Sequence, residues 1–120
     1  MPEIHPFKGW RFNTNIVGDI SQVIAPPYDV INKADQAALY DRSPYNYVRI
    51  ILNRSAGMER YSKAAKTLSE WKKNEILIQD TDPSIYLLCQ SYFQDDQQIE
   101  RTGFITKLKI TNLHTMLLMI

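Results

Sequence analysis

Two long alternating runs, 84–94 (SIYLLCQSYFQ) and 98–110 (QIERTGFITKLKI), are separated only by Asp95-Asp96-Gln97. So short a gap cannot carry a crossover, so the runs predict antiparallel neighbours joined as a hairpin. Upstream, Met58, Tyr61, Ala65, Leu68, Trp71 and Ile76 recur at helical spacing and mark one face of an amphipathic helix over 58–76. At the usual rise it is about 28 Å long. Lys63, Lys66, Glu70, Lys72 and Lys73 fall largely off that stripe.

Shorter elements fill the first half. Residues 4–12 and 20–25 read as strands rich in β-branched and aromatic residues, with Asn13-Thr14-Asn15 and Gly18-Asp19 as punctuation. Pro26-Pro27 stops the second strand, because neither proline can donate to a ladder. Asn32 can cap a helix in which Asp35 falls at the third helical position, and Pro44 requires that helix to end by Ser43. Residues 47–52 (YVRIIL) read as a strand buried on most of both faces. The resulting order, β-β-α-β-α-β-β, lacks the strict alternation of a parallel α/β sheet. It predicts an α+β fold with a mixed, mainly antiparallel sheet and two helices. Residues 1–110 are expected to be the N-terminal part of a single α+β domain. Residues 111–120, which end in Met116-Leu117-Leu118-Met119-Ile120, read as an atypical apolar tail left by truncation or a frame shift, making the domain incomplete.

Composition removes several function classes. Lys and Arg number 14 against 13 Asp and Glu, a net charge of +1, so no basic excess points to nucleic acid or an anionic membrane as the main partner. No basic-then-apolar leader opens the chain, and no apolar run approaches the roughly 20 residues that span a bilayer, so a cytoplasmic location is expected. Cys89 is the single cysteine, which excludes an intrachain disulfide; its apolar alternating context predicts a small buried hydrophobe. The common nucleotide-loop, nucleophile-elbow and zinc-helix motifs are missing, only four glycines are present, and His5 and His114 stand at opposite ends without metal-ligand spacing.

One block carries chemical information. In Ala25-Pro26-Pro27-Tyr28-Asp29-Val30 the prolines fix two φ angles, and either X-Pro bond is open to the cis form. Such stiffness sets the directions of Tyr28 and Asp29, as a site aiming a carboxylate at a substrate hydroxyl or a metal ion requires. The commoner role of such a block is structural: the prolines simply end a strand, with Asp29 bonded in the turn and Tyr28 packed. Ser43-Pro44-Tyr45-Asn46 leads into the segment bearing Arg49. Arg49 among apolar neighbours calls for an anion: a carboxylate such as Asp29, the commoner solution, or a ligand phosphate.

The A-P-P-Y-D-V block, with Pro6-Phe7, Ser43-Pro44-Tyr45, Tyr61-Ser62-Lys63-Ala64-Ala65, Gln79-Asp80, Pro83-Ser84-Ile85-Tyr86 and Arg101-Thr102-Gly103-Phe104-Ile105, resembles the start of the bacterial and archaeal domain-of-unknown-function 1015 family over about residues 4–109. Family chains are longer and carry a His-Glu-His-Thr-like block beyond the Gly-Phe-Ile strand. Here His114-Thr115 lacks the preceding His-Glu pair, so no role is carried onto it and the chain reads as an N-terminal fragment. By analogy the family resembles small-molecule phosphotransfer enzymes acting on a serine-like hydroxyl. In that reading Asp29 is base or metal ligand with Tyr28 beside it, while Arg49, Pro26 and Pro27 contact substrate. Mg²⁺ and a nucleotide are then the implied cofactors. The alternatives are a non-catalytic binding or assembly module, self-associating through the hairpin edge at 98–110 or the apolar tail, and an inactive gene fragment.

Overall fold

The structure, a computed structural model, describes residues 2–110. The expectations for the apolar tail and for His114 therefore lie outside the described residues. The chain forms two compact units, one made of Trp10–Gln79 and the other of the segments on either side of it. Helices and antiparallel strand pairs together make the fold α+β, as the element order predicts. No helix among the described residues is long and apolar enough to cross a membrane.

The 10–79 unit is mainly helical. β2 (Trp10–Phe12; β1 belongs to the other unit) pairs antiparallel with β3 (Leu77–Gln79), setting Phe12 opposite Leu77. Asn13 accepts from the Asn15 amide at 3.1 Å to cap the single turn α1 (Thr14–Val17), which ends at Gly18 with φ 76°. α2 (Lys33–Arg42) starts at the expected capping box, Asn32 and Asp35 each bonding the other's backbone N–H, and stops before Pro44. α4 (Glu59–Lys73; α3 is described below) is the expected amphipathic helix. Trp71, Ile76 and Leu77 are buried, with Phe12, Val17, Tyr45, Ile50 and Leu68 packed on them. The rings of Phe12 and Tyr45 stand 5.9 and 6.1 Å from that of Trp71. The predicted stripe does not bury along its whole length, since Met58 and Tyr61 are exposed; only its C-terminal half reaches the core.

The strands expected over 4–12 and 98–110 are each divided in two, at 6–9 and at Thr106, and the pieces take different partners. Two further predicted strands, over 20–25 and 47–52, do not form, and one residue accounts for both. Asn46 is fully buried. Its amide nitrogen donates to the carbonyls of Gln22 at 2.9 Å and Ile24 at 3.0 Å, while the Tyr47 N–H donates to the Val23 carbonyl at 2.7 Å. Segment 20–25 thus finds its acceptors' partners in a loop and needs no ladder. It takes a 3-10 turn over Ile20–Gln22, with Val23 buried and Ile20 and Ile24 exposed. The Asp19 carboxylate caps that turn by accepting from the Ser21 N–H at 3.0 Å, and this hydrogen bond lowers its pKa from the ordinary value. Asn46 Oδ1 also accepts from the Val48 N–H at 3.0 Å. The run expected as a strand over 47–52 instead turns into the one-turn helix α3 (Val48–Ile51). Its β-branched residues favour a strand by propensity, but burial of Val48 in this bonded corner overrides that preference.

The other unit is extended. β1 (Ile4–His5) pairs with β6 (Lys107–Leu108), Phe7 bridges Ser84, and β4 (Tyr86–Gln94) pairs along its length with β5 (Gln97–Ile105). The hairpin loop is Asp95-Asp96, with φ 50° and 63°, not the three residues expected; Gln97 already pairs with Gln94. Two successive left-handed residues match the I′ turn whose twist suits a two-residue hairpin. Cys89 is exposed, which overturns its assignment as a buried hydrophobe. The alternation that suggested burial is real, but most of this hairpin remains open to solvent on both faces. At its base the Tyr86 hydroxyl accepts from the Gly9 N–H at 2.7 Å and donates to the Asp80 carboxylate, and its ring tilts against Phe7.

Two outcomes follow for stability. Asn46→Ala leaves two carbonyls and one N–H without their buried partner and should cost about 2–4 kcal/mol in urea unfolding followed by tryptophan fluorescence. Gly9→Ala sets a Cβ 2.6 Å from the Tyr86 hydroxyl oxygen, which two hydrogen bonds hold in place. We expect a loss of about 1–3 kcal/mol, read from the thermal midpoint; an unchanged midpoint would contradict the contact.

Candidate functional site

A cleft of about 360 Å³ opens in the 10–79 unit, within the range of small-molecule sites. α4 supplies Lys63, Thr67 and Trp71, spaced by four so that they share one face. α2 supplies Tyr40 near its C-terminus, α3 supplies Arg49, and the connection after α3 supplies Asn53, Arg54 and Ser55. Asn53, itself buried, shapes that connection: its Oδ1 accepts from the Ser55 N–H at 3.0 Å and its Nδ2 donates to the Arg60 carbonyl at 2.8 Å.

Tyr40 organises the charge. The guanidinium carbons of Arg49 and Arg54 lie 4.4 and 4.2 Å from the centre of its ring. Its hydroxyl accepts from the Arg54 N–H at 3.1 Å, and its carbonyl accepts from the Arg49 guanidinium at 2.9 Å. The Ser43 carbonyl takes a further, longer bond from Arg49 Nε at 3.4 Å. Two cations are therefore fixed over one ring by neutral partners, and Lys63 adds a third to the lining, which holds no carboxylate. Neutral carbonyls and a ring orient a guanidinium without cancelling its charge, so the cleft is suited to an anion with several oxygen acceptors. The hydroxyls of Ser55 and Thr67 and the ring of Trp71 complete a wall that is part polar and part aromatic.

The structure separates the residues singled out in the sequence. Arg49 lines the cleft, but its described partners are two backbone carbonyls and the Tyr40 ring, not the Asp29 carboxylate expected to balance it. Pro26 and Pro27 are exposed with trans peptide bonds, and the chain after them forms a 3-10 turn over Tyr28–Val30. Tyr28 and Asp29 are exposed on that turn and do not line the cleft. Sequence reasoning missed Tyr40, Arg54, Ser55, Lys63 and Thr67. The spacing of Lys63, Thr67 and Trp71 is the available signal, masked because the helix stands out through its apolar stripe.

The donor set also bears on the implied cofactors. Magnesium wants oxygen ligands, chiefly carboxylates. The cleft has none, and no group of three His, Cys, Asp or Glu side chains among the described residues is arranged to hold a metal ion. These residues do not fit a bound Mg²⁺. Their charge is that of a site for an anion rather than for a cation.

A family model described as "Protein of unknown function (DUF1015)" matches residues 4–116. No curated protein and no solved structure matches the chain.

Replacing Tyr40 should separate its two tasks. Tyr40→Phe removes the acceptor for the Arg54 N–H but keeps the ring, at a cost of about 0.5–1.5 kcal/mol in urea unfolding. Tyr40→Leu also removes both ring–guanidinium contacts and should cost measurably more. Equal losses in the two variants would show that the ring does not hold the arginines.

Proposed function

The chain belongs to the DUF1015 family, and from the cleft it carries we propose that it binds the phosphate group of a small molecule. The carrying observation is the set of Arg49, Arg54 and Lys63 around one cavity with no lining carboxylate. An anion that fills the cavity relieves the mutual repulsion of these cations while satisfying guanidinium donors already held in direction.

In its finer form the reading is phosphotransfer to a serine-like hydroxyl. The bond between phosphorus and the donor's leaving oxygen breaks, with the electron pair departing on that oxygen. A new bond forms to the acceptor hydroxyl, whose proton passes to a base. Arg49, Arg54 and Lys63 are the groups proposed to steady the charge on the transferred phosphoryl oxygens. Asp29, with Tyr28 beside it, lies outside the cleft lining and contributes nothing to phosphate binding; it serves as the base only for an acceptor hydroxyl that extends from the cleft to the 28–30 turn. The near-neutral balance of the whole chain, net charge +1, agrees with a small ligand rather than a polyanion.

The test compares thermal midpoints in phosphate or pyrophosphate with those in sodium chloride of the same ionic strength. Binding at one hundred times Kd corresponds to about 2.7 kcal/mol of added stability. We expect the phosphate-specific rise in the wild-type chain and in Asp29→Asn, and its loss in Arg49→Gln/Arg54→Gln. The same rise in that double variant, or none in the wild type, would remove the cleft as a phosphate site.

A further inference from the structure

β4 pairs with β5 on one edge, and among the described residues nothing pairs with its other edge. The two-residue turn makes Gln94 and Gln97 the first hydrogen-bonded pair, so Tyr92, Gln90, Leu88 and Tyr86 also direct their backbone groups toward β5. Leu87, Cys89, Ser91 and Phe93 direct theirs outward from the hairpin. Natural sheets protect such an edge with lysine, proline, a bulge or an inward charge. The sequence of β4, YLLCQSYFQ, has none of the residue types, and its pairing with β5 runs unbroken from Tyr86 to Gln94. β5, by contrast, carries Glu100 and Arg101 at its middle.

β4 is also self-complementary about Gln90. Laid antiparallel against a second copy with Gln90 on the two-fold axis, Leu88 of each copy faces Tyr92 of the other, and Leu87 faces Phe93. The small residues Cys89 and Ser91 face each other nearest the axis. Apolar meets apolar on both faces of the sheet, and these are exposed side chains, with Leu87 and Phe93 each at 77%. The hydrogen-bond phase agrees as well: outward-directed residues meet outward-directed residues, and Gln90 falls in a non-hydrogen-bonded pair. A register shifted by one residue along the partner would set outward groups against inward ones and break the ladder.

We propose that β4 forms the interface of a homodimer, two hairpins joining edge to edge as a four-stranded antiparallel sheet in the order β5-β4-β4-β5. A two-fold contact of this kind uses one patch twice and closes on itself. The inference is independent of the cleft and of its ligand.

Light scattering on the full chain after size exclusion should give twice the chain mass, with dissociation on dilution. The register is read by cross-linking. In a Cys89→Ser chain, Gln90→Cys places two thiols directly opposite each other, in the pair type whose Cα atoms approach to about 4.5 Å. Mild oxidation should give a disulfide dimer on a non-reducing gel. Gln94→Cys in the same chain should not cross-link, because its two copies lie about 27 Å apart along the sheet at the usual rise. Leu88→Lys should weaken dimerisation at least tenfold while far-ultraviolet circular dichroism stays the same. A monomer at every concentration, or equal cross-linking at positions 90 and 94, overturns the proposal.

Discussion

The buried side-chain amide of Asn46 is the interaction on which the 10–79 unit turns. Its nitrogen serves two carbonyls in the 22–24 segment and its oxygen serves the first turn of α3. A polar group without solvent contact is costly to leave unpaired, so these bonds fix the corner once Val23 and Val48 are buried around it. The direction of α3 follows from that corner, and with it the position of Arg49 beneath the last turn of α2. Tyr40 can then present both its carbonyl and its ring to the same guanidinium. An asparagine that does not line the cleft is in this way a condition of it.

The cleft concentrates charge that the chain as a whole does not have. Two arginines share one aromatic ring and a lysine stands on the facing helix, in a protein whose acidic and basic side chains nearly cancel. Bringing like charges together opposes folding, and here the partners that hold them in place are neutral. Orientation without neutralisation is what separates an anion-binding constellation from a structural salt bridge, in which a carboxylate satisfies the guanidinium and leaves little field for a ligand. The β4–β5 hairpin has a comparable excess of another kind. Its strands are bonded to each other and its base is tied by Tyr86 to Gly9 and Asp80, yet its apolar side chains remain open. A two-stranded ribbon is at best marginally stable alone in water, so its long edge is an asset only where it meets another strand.

What the sequence determined by itself was a set of features governed by neighbours along the chain. The capping box at Asn32 and Asp35, the stop at Pro44, the amphipathic helix ending in Trp71 and the pairing of β4 with β5 all depend on spacings of a few residues or on one short turn. The family-specific blocks were legible for the same reason. Only the tertiary structure decided that 20–25 and 47–52 are not strands, because that outcome depends on a hydrogen bond between residues some two dozen positions apart. It alone also placed Arg49 against Tyr40 rather than Asp29, gathered Arg54 and Lys63 beside it, and left Cys89 in solvent. Alternation and periodicity report which face of an element is apolar; whether anything covers that face is settled by long-range packing, which no local pattern encodes.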